Sequence, residues 1–370
     1  MIARSTIRRR RWTWPRLLVL AVATVVGFVV TVPTARLRYL ALPVLHDPSV
    51  PSAAVPRAIA DAPPSGATLV TRLPSRVSAV LPRSDGSVFI GTFDEGLFRF
   101  DPARGGAPVA VGGLEGRERF VDALVEHDGR VIAATHRGAV VVGGDGTRLG
   151  VLAPGEAISS LAVVDGALVA GSARGLWTGA STVTGSPVTG SPLGERGPTG
   201  EILRVTALAV TRARLYVGTP DGVYVLQRPL TAQVARWQPL VFGAPPAETN
   251  VVTALAPLGD GVVAGTDDGG LVLVRDDGVS ALPLTEARAN DVNPGAMAHF
   301  GGTIFVGTEG AGLLQLAGSD VTRPSDWRRA RISAVAAGAR LFLGTEDGEL
   351  WALPAAQPLA ASRIFWINAS

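Results

Sequence analysis

From residue 67 onward, hydrophobic positions come in short runs of three to five, separated by glycine-rich polar breaks, and the arrangement repeats seven times. The core of each copy is an apolar run, Gly-Thr or a near relative, a turn with glycine, and a second apolar run. The copies read VFIGTFDEGLFRF (88–100), VIAATHRGAVVV (131–142), ALVAGSARGLWTG (167–179) and LYVGTPDGVYVL (215–226). They continue as VVAGTDDGGLVLV (262–274), IFVGTEGAGLLQL (304–316) and LFLGTEDGELWAL (341–353). The Thr or Ser markers, Thr92, Thr135, Ser172, Thr219, Thr266, Thr308 and Thr345, are spaced by 43, 37, 47, 47, 42 and 37 residues. Runs this short and rich in Val, Ile, Leu, Phe and Tyr are strands. Because they are nearly continuous rather than alternating, both faces of each sheet are expected to be buried.

About ten residues before most copies stands a further strand: VSAV (77–80), VDAL (121–124), ISSL (158–161), VTAL (205–208), VTAL (252–255) and ISAV (332–335). The sixth copy is degenerate near Ala296-Met297-Ala298. Asp-Gly turns at Asp85-Gly86, Asp128-Gly129, Asp165-Gly166 and Asp260-Gly261 join this strand to the next. A glycine after each Gly-Thr (Gly96, Gly138, Gly175, Gly222, Gly269, Gly312, Gly348) is read as the positive-φ residue of the second turn, not as a phosphate-cradling loop, since no helix pattern follows. Units of roughly 40–50 residues, each sheet covered by its neighbours, predict an all-β, seven-bladed β-propeller with four-stranded blades over residues 67–370. Ring closure has two candidates for the outer strand of the last blade: residues 68–73 (TLVTRL) and residues 363–367 (RIFWI). The unit V-x-A-L … L-[YFW]-[VL]-G-T-x-x-G-[LV]-[YFW] resembles the two-component-regulator propeller repeat of the YVTN/WD40-like superfamily. The resemblance implies a ligand-binding sensor domain or another seven-bladed propeller. Unlike the signalling members, this sequence shows no kinase, cyclase or DNA-binding region after the repeats.

Charge changes the picture at the N-terminus. All 34 basic side chains are arginine, and the chain carries 31 acidic residues and no cysteine. Eight arginines fall in residues 1–40, which hold no acidic residue, so the remainder of the chain is mildly acidic. A body of that charge lacks the footprint of a nucleic-acid binder. Without cysteine there are no disulfides, thiolate metal sites or cysteine nucleophile. Residues 17–35 form a 19-residue uncharged apolar run, flanked by Trp12, Trp14 and Arg8–Arg11 on its N-terminal side. This predicts a basic cytoplasmic segment (1–16), a transmembrane signal anchor (17–35), a Pro/Ala-rich linker (36–66) and the propeller in the periplasm or cell exterior. Cleavage after a signal peptide is the competing reading, and it too sends the propeller out of the cytoplasm. Residues 178–203, with a tandem VTGSP, are expected as a tolerated surface insertion.

Candidate chemistry is sparse. His46, His127, His136 and His299 have no metal-ligand spacing and are read as linker, turn or surface residues; no G-x-S-x-G elbow occurs. The acidic turns Asp94-Glu95, Asp267-Asp268 and Glu346-Asp347 are read as solvated turns, and neither catalytic residue, metal nor cofactor is expected. One column stands out. Arg76, Arg204 and Arg331 precede the inner strand of three units, with Asn250 and Asn293 nearby. In a propeller these positions ring one channel mouth, where they would bind a small anionic ligand or an acidic partner loop. The leading expectation is a non-catalytic, membrane-tethered scaffold or sensor. The alternative is a periplasmic lyase or hydrolase with its site at the channel mouth.

Overall fold

The computed structural model describes residues 66–179, 190–194, 203–230, 238–240, 251–275, 278–282, 291–324, 327, 331–353 and 361–363. The predicted anchor and linker lie outside these residues. The strands form seven antiparallel sheets, which are the blades of a ring. From inner to outer strand, blade one is Val77–Pro82, Val88–Thr92, Leu97–Phe100 and Val109–Ala110; blade two is Val121–His127, Arg130–Thr135, Gly138–Val142 and Arg148–Leu152. Blade three is Ile158–Val164, Ala167–Ser172, Gly175–Gly179 and Gly190–Gly194; blade four is Ala207–Val210, Arg214–Thr219, Gly222–Gln227 and Gln238–Leu240. Blade five is Val252–Leu258, Gly261–Thr266, Leu271–Arg275 and Gly278–Ala281; blade six begins Val292–Phe300, Thr303–Thr308, Leu313–Ala317 and Asp320–Pro324. Blade seven takes Ile332–Ala337, Leu341–Thr345 and Glu349–Leu353 from the end of the chain and Thr68–Arg72 from its start.

That last pairing settles the closure. Thr68–Arg72 runs antiparallel to Glu349–Leu353, with Arg72 opposite Glu349, and Leu73 N–H donates to the Gly348 carbonyl at 2.8 Å. Arg72 reaches back to the buried Glu349 at 2.9 Å, and Glu349 also accepts from Trp351 Nε1 at 3.0 Å. The rival C-terminal run goes elsewhere: Ala361–Arg363 pairs with Asp320–Pro324 as a fifth strand on blade six, and residues 364–367 lie outside the described ones.

The buried side chains fall into seven apolar clusters, each made from two consecutive blades, including one that joins blade seven to blade one. The core of this protein is therefore the set of interfaces between sheets, and continuous apolar strands are what such a core requires. Two contacts recur around the ring, the first at six interfaces and the second at four. The first involves the glycine of Gly-Thr. A Cβ placed on Gly91, Gly218 or Gly265 would lie 2.5, 2.6 and 2.5 Å from Cγ1 of Val121, Val252 and Val292, the first inner-strand residue of the following blade. Gly171 meets Val205 and Gly344 meets Val77 in the same way, and Gly307 meets Ile332. Blade two has Ala134 here, packed in one cluster with Ile158 of blade three. The glycine is thus a notch that receives its neighbour's branched side chain.

The second contact comes from the next residue of the inner strand. Register shifts at Val77/Ala79, Val121/Ala123, Ile158/Ser160, Val252/Ala254 and Ile332/Ala334 place Ser78, Asp122, Ser159, Thr253 and Ser333 in one-residue bulges. A bulge re-aims its side chain sideways. Ser78 donates to the Val121 carbonyl, Ser159 to Val205 at 2.7 Å, Asn293 to Ile332 at 2.6 Å and Ser333 to Val77 at 2.5 Å. Each acceptor is the residue whose side chain fills the notch.

Three expectations change. The turn glycine of the fifth unit is Gly270 (φ +74°), not Gly269, because that turn is one residue longer and Thr266 spans it to the Gly270 carbonyl at 3.0 Å. The sixth inner strand is not merely degenerate near Ala296. It starts at Val292 and carries Pro294-Gly295 as extra residues in its bulge, between paired Val292 and Met297. Part of the 178–203 insertion is structural: Gly190–Gly194, which starts in the second VTGSP and runs past its end, is the outer strand of blade three, an edge position that tolerates Pro192.

Arg72→Ala is expected to cost about 1–3 kcal/mol, because it leaves the buried Glu349 carboxylate without its cation. Urea unfolding monitored by circular dichroism checks this, and Glu349→Gln added to Arg72→Ala should recover part of the loss.

Candidate functional site

One mouth of the channel is built from two columns of residues. The inner strands begin there, so the residue preceding each of them lines it. The turns between second and third strands end there too, so the residue after each Gly-Thr marker lies beside the first column. Backbone hydrogen bonds tie the columns together: Phe93 N–H to the Arg76 carbonyl (3.1 Å), Asp267 to Val251 (3.0 Å), Glu309 to Asp291 (3.0 Å) and Glu346 to Arg331 (3.1 Å). The marker hydroxyls hold the turns in shape. Thr92, Thr135, Thr219, Thr266 and Thr308, all buried, donate to the turn-glycine carbonyls at 2.8, 2.7, 3.0, 3.0 and 2.8 Å.

The columns carry different chemistry from blade to blade. Over blades six, seven, one and two they hold a continuous row of charged and aromatic groups. Arg331 bonds Glu346 at 2.7 Å and lies 3.7 Å from Glu309. Glu346 also feels Arg76, whose guanidinium stands 5.5 Å from the centroid of the Phe93 ring. Phe93 meets Phe120 edge-on at 5.7 Å, and Phe120 stacks on His136 at 5.0 Å with 9° between the planes. His136 Nε2 lies 3.1 Å from Asp122, the bulge residue of blade two. Asp122 is where other blades carry a hydroxyl or amide donor, so this bulge holds an acceptor instead.

Of the residues singled out from sequence, Arg76 and Arg331 sit on adjacent blades and act on one carboxylate. Arg204 lies on blade four, across the ring from blades seven and one. Asn293 is buried, and its amide is committed to the Ile332 carbonyl; Asn250 lies outside the described residues. Glu346 was read as a solvated turn residue, but its side chain is 14% exposed and ion-paired. Burial pushes its carboxyl above the usual range, against the pull of Arg76 and Arg331 and with help from Glu309 and Asp347. His127 is buried rather than at the surface. Phe93, Phe120 and Glu309 escaped sequence reasoning, although the position after each Gly-Thr was there to be tabulated. Among the described residues no group of three or more His, Asp or Glu is placed to hold a metal ion.

The channel at this mouth is crossed. Gly295 approaches the opposite side of the ring, so that a Cβ on it would lie 3.9 Å from the Asp122 carbonyl oxygen of blade two. The inner strand of blade six comes close to the inner strands of blades one and two, which are not its neighbours in the ring.

No protein-family model and no curated protein sequence matches the chain. Solved structures share its fold. The extracellular domain of the B. thetaiotaomicron protein BT4673, described as a hybrid two-component system, aligns with a TM-score of 0.62 and 17% identity over 77% of this chain and 39% of that one. The extracellular domain of BT3049, described in the same way and from the same organism, aligns with a TM-score of 0.60 and 15% identity over 80% of this chain and 42% of that one. The computationally designed protein Ika8 aligns with a TM-score of 0.50 and 19% identity over 77% of this chain and 99% of that one. This chain thus spans about two-fifths of the two extracellular domains, and the likeness is one of fold; the seven-bladed architecture expected from the repeat is given by the seven sheets themselves.

Glu346 supplies a pH test. Its folded-state pKa is raised, so its contribution to stability is full below the ordinary glutamate value of about 4.3 and is lost as pH rises through the raised value. Between pH 4 and pH 7 the melting temperature of the wild type should therefore fall relative to that of Glu346→Gln, as differential scanning calorimetry would record.

Proposed function

We propose that this protein is an extracytoplasmic sensor or docking propeller, tethered by residues 17–35, which binds an anionic group of a ligand or partner at Arg76 and Arg331. Two features support its location. The arginine-rich segment ahead of an apolar run follows the positive-inside bias, and the BT4673 and BT3049 structures that share the fold are of extracellular domains. In the ring, residue 68 enters at the end of blade seven away from the mouth, because Arg72 rather than Thr68 lies beside the mouth turn at Gly348. The mouth is thus on the face opposite to that of chain entry.

The observation that carries the binding role is the state of Arg76. It lies half-buried over the Phe93 ring, and Glu346, the carboxylate whose charge it influences, is already bonded to Arg331. A half-buried guanidinium stacked on an aromatic ring, with the neighbouring carboxylate engaged elsewhere, gains from an external anion. The alternative of a lyase or hydrolase in a deep funnel has no comparable support, since Pro294-Gly295 crosses the channel where the funnel would open.

The experiment is anion titration of the detergent-solubilised full chain with acetate and inorganic phosphate, followed by nuclear magnetic resonance. Arg76→Ala and Arg331→Ala should each weaken binding about tenfold or more. Glu346→Gln should strengthen it, since it removes the internal competitor. Binding indifferent to both arginines would refute the assignment. Protease added to spheroplasts, whose outer layer is opened, should remove the propeller while sparing residues 1–16, whereas protection of the propeller would contradict the location.

A further inference from the structure

Six of the seven inner strands pass directly from the second residue of the repeat (Ser78, Asp122, Ser159, Thr206, Thr253 or Ser333) to an Ala or Ser. Blade six alone inserts two residues there, Pro294 and Gly295. Nothing in the sheet calls for them: Val292, Asn293, Ala296 and Met297 are buried around them, while Pro294 and Gly295 are themselves exposed. Their form is constrained. Proline fixes its own φ, Gly295 takes a left-handed φ of +66°, and the base of the loop is pinned by Asn293 donating to Ile332 at 2.6 Å. The tip reaches blade two at the Asp122 carbonyl.

In ring order, blades six and two flank blades seven and one. A link from six to two is therefore a chord that divides the mouth into two parts. Arg331, Glu346, Arg76 and Phe93 stand on the short arc. Arg204 stands on the long arc of blades three, four and five.

We propose that Pro294-Gly295 is the specificity wall of the mouth site: it confines the Arg76–Arg331 pair to one compact anionic group, a single carboxylate or phosphate, and keeps out an extended acidic chain that would also reach Arg204. Glu346 is the internal example of such a group, a lone carboxylate bonded by Arg331 and within the electrostatic reach of Arg76. This proposal rests on the anion-binding reading of the mouth and adds to it the size and valency of what is bound. It also gives the irregular sixth repeat a purpose that packing does not supply.

The test compares the full-length wild type with a variant lacking Pro294 and Gly295, in which Val292-Asn293 runs straight into Ala296-Met297 as in the other copies. Two probes are titrated, acetate and hexaglutamate. For the wild type, hexaglutamate should bind no more tightly than acetate. In the deletion variant hexaglutamate should gain about tenfold or more while acetate changes little, and Arg204→Ala should reverse that gain. If the deletion does not fold, as judged by its melting temperature, Pro294→Gly loosens the same wall and should move the probe ratio in the same direction. An unchanged ratio, or a wild type that already prefers hexaglutamate, overturns the wall while leaving the arginine site standing. Acetate binding that survives Arg76→Ala and Arg331→Ala instead overturns the anion-binding reading and the wall with it.

Discussion

Every interface in this ring depends on one fit. A branched aliphatic residue at the start of each inner strand seats against a position where the preceding blade has no side chain or, in blade two, only the methyl of Ala134. Interiors pack at close to crystalline density, so a single extra methyl group at such a point has nowhere to go. The same aliphatic residue is held a second time in four blades, through its carbonyl, by the bulge residue of the preceding blade. Side chain and backbone are thus gripped by one neighbour. The grip sets the angle between sheets, and an angle repeated seven times decides whether the ring closes. It closes through Gly344 and Val77, with Ser333 bonding the Val77 carbonyl, before the first strand of the domain is laid on blade seven as the outer layer. Closure leaves no blade face without a partner and removes the exposed ends an open stack would keep.

Because the fold is carried by the notch, the marker hydroxyl and the turn glycine, the two columns at the mouth are free to vary. They vary in a lopsided way. Blades six to two hold arginines, glutamates, stacked rings and a histidine–aspartate pair, while blade three offers Ala157 and Ala173 at the same positions. A repeat scaffold with one specialised sector is what a binding surface on a propeller requires: identical units supply rigidity, and departures from identity supply chemistry. The half-buried Glu346 shows the cost of that specialisation. Its burial disfavours the ionised form, yet it remains beside Arg331 and Arg76, which a residue chosen for stability alone would not need to do.

Much of this was legible in the chain. Seven copies, the strand character of the runs, the turn glycines and residues 68–73 as a closing strand all follow from period and composition, because they are local patterns. What escaped is tertiary. Ser78, Ser159 and Ser333 look like ordinary polar positions in a strand; only the bulge shows that they point sideways to the next sheet. The Gly of Gly-Thr carries no role in the sequence reading until Val121 or Val252 is seen against it. Arg76, Arg204 and Arg331 share a column, but sequence spacing cannot say that the first and last are neighbours around the ring and the second stands opposite. Pro294-Gly295 looked like decay of the sixth repeat, whereas in space it is a bridge across the channel. The outer strand Gly190–Gly194 was hidden by its low-complexity composition, since an edge strand needs little from its side chains.

The most direct test of the account is a double-mutant cycle at the closing junction, with Gly344→Ala, Val77→Ala and the pair measured by urea denaturation. Each single change should destabilise the protein, by about 1–3 kcal/mol for the overpacked alanine at 344 and by a similar amount for the cavity at 77. In the double variant the new methyl no longer meets Cγ1 of Val77, the atom nearest to it, so its cost should fall short of the sum by at least about 1 kcal/mol. Additivity within about 0.5 kcal/mol would mean that the two positions do not share a notch, and would contradict the account.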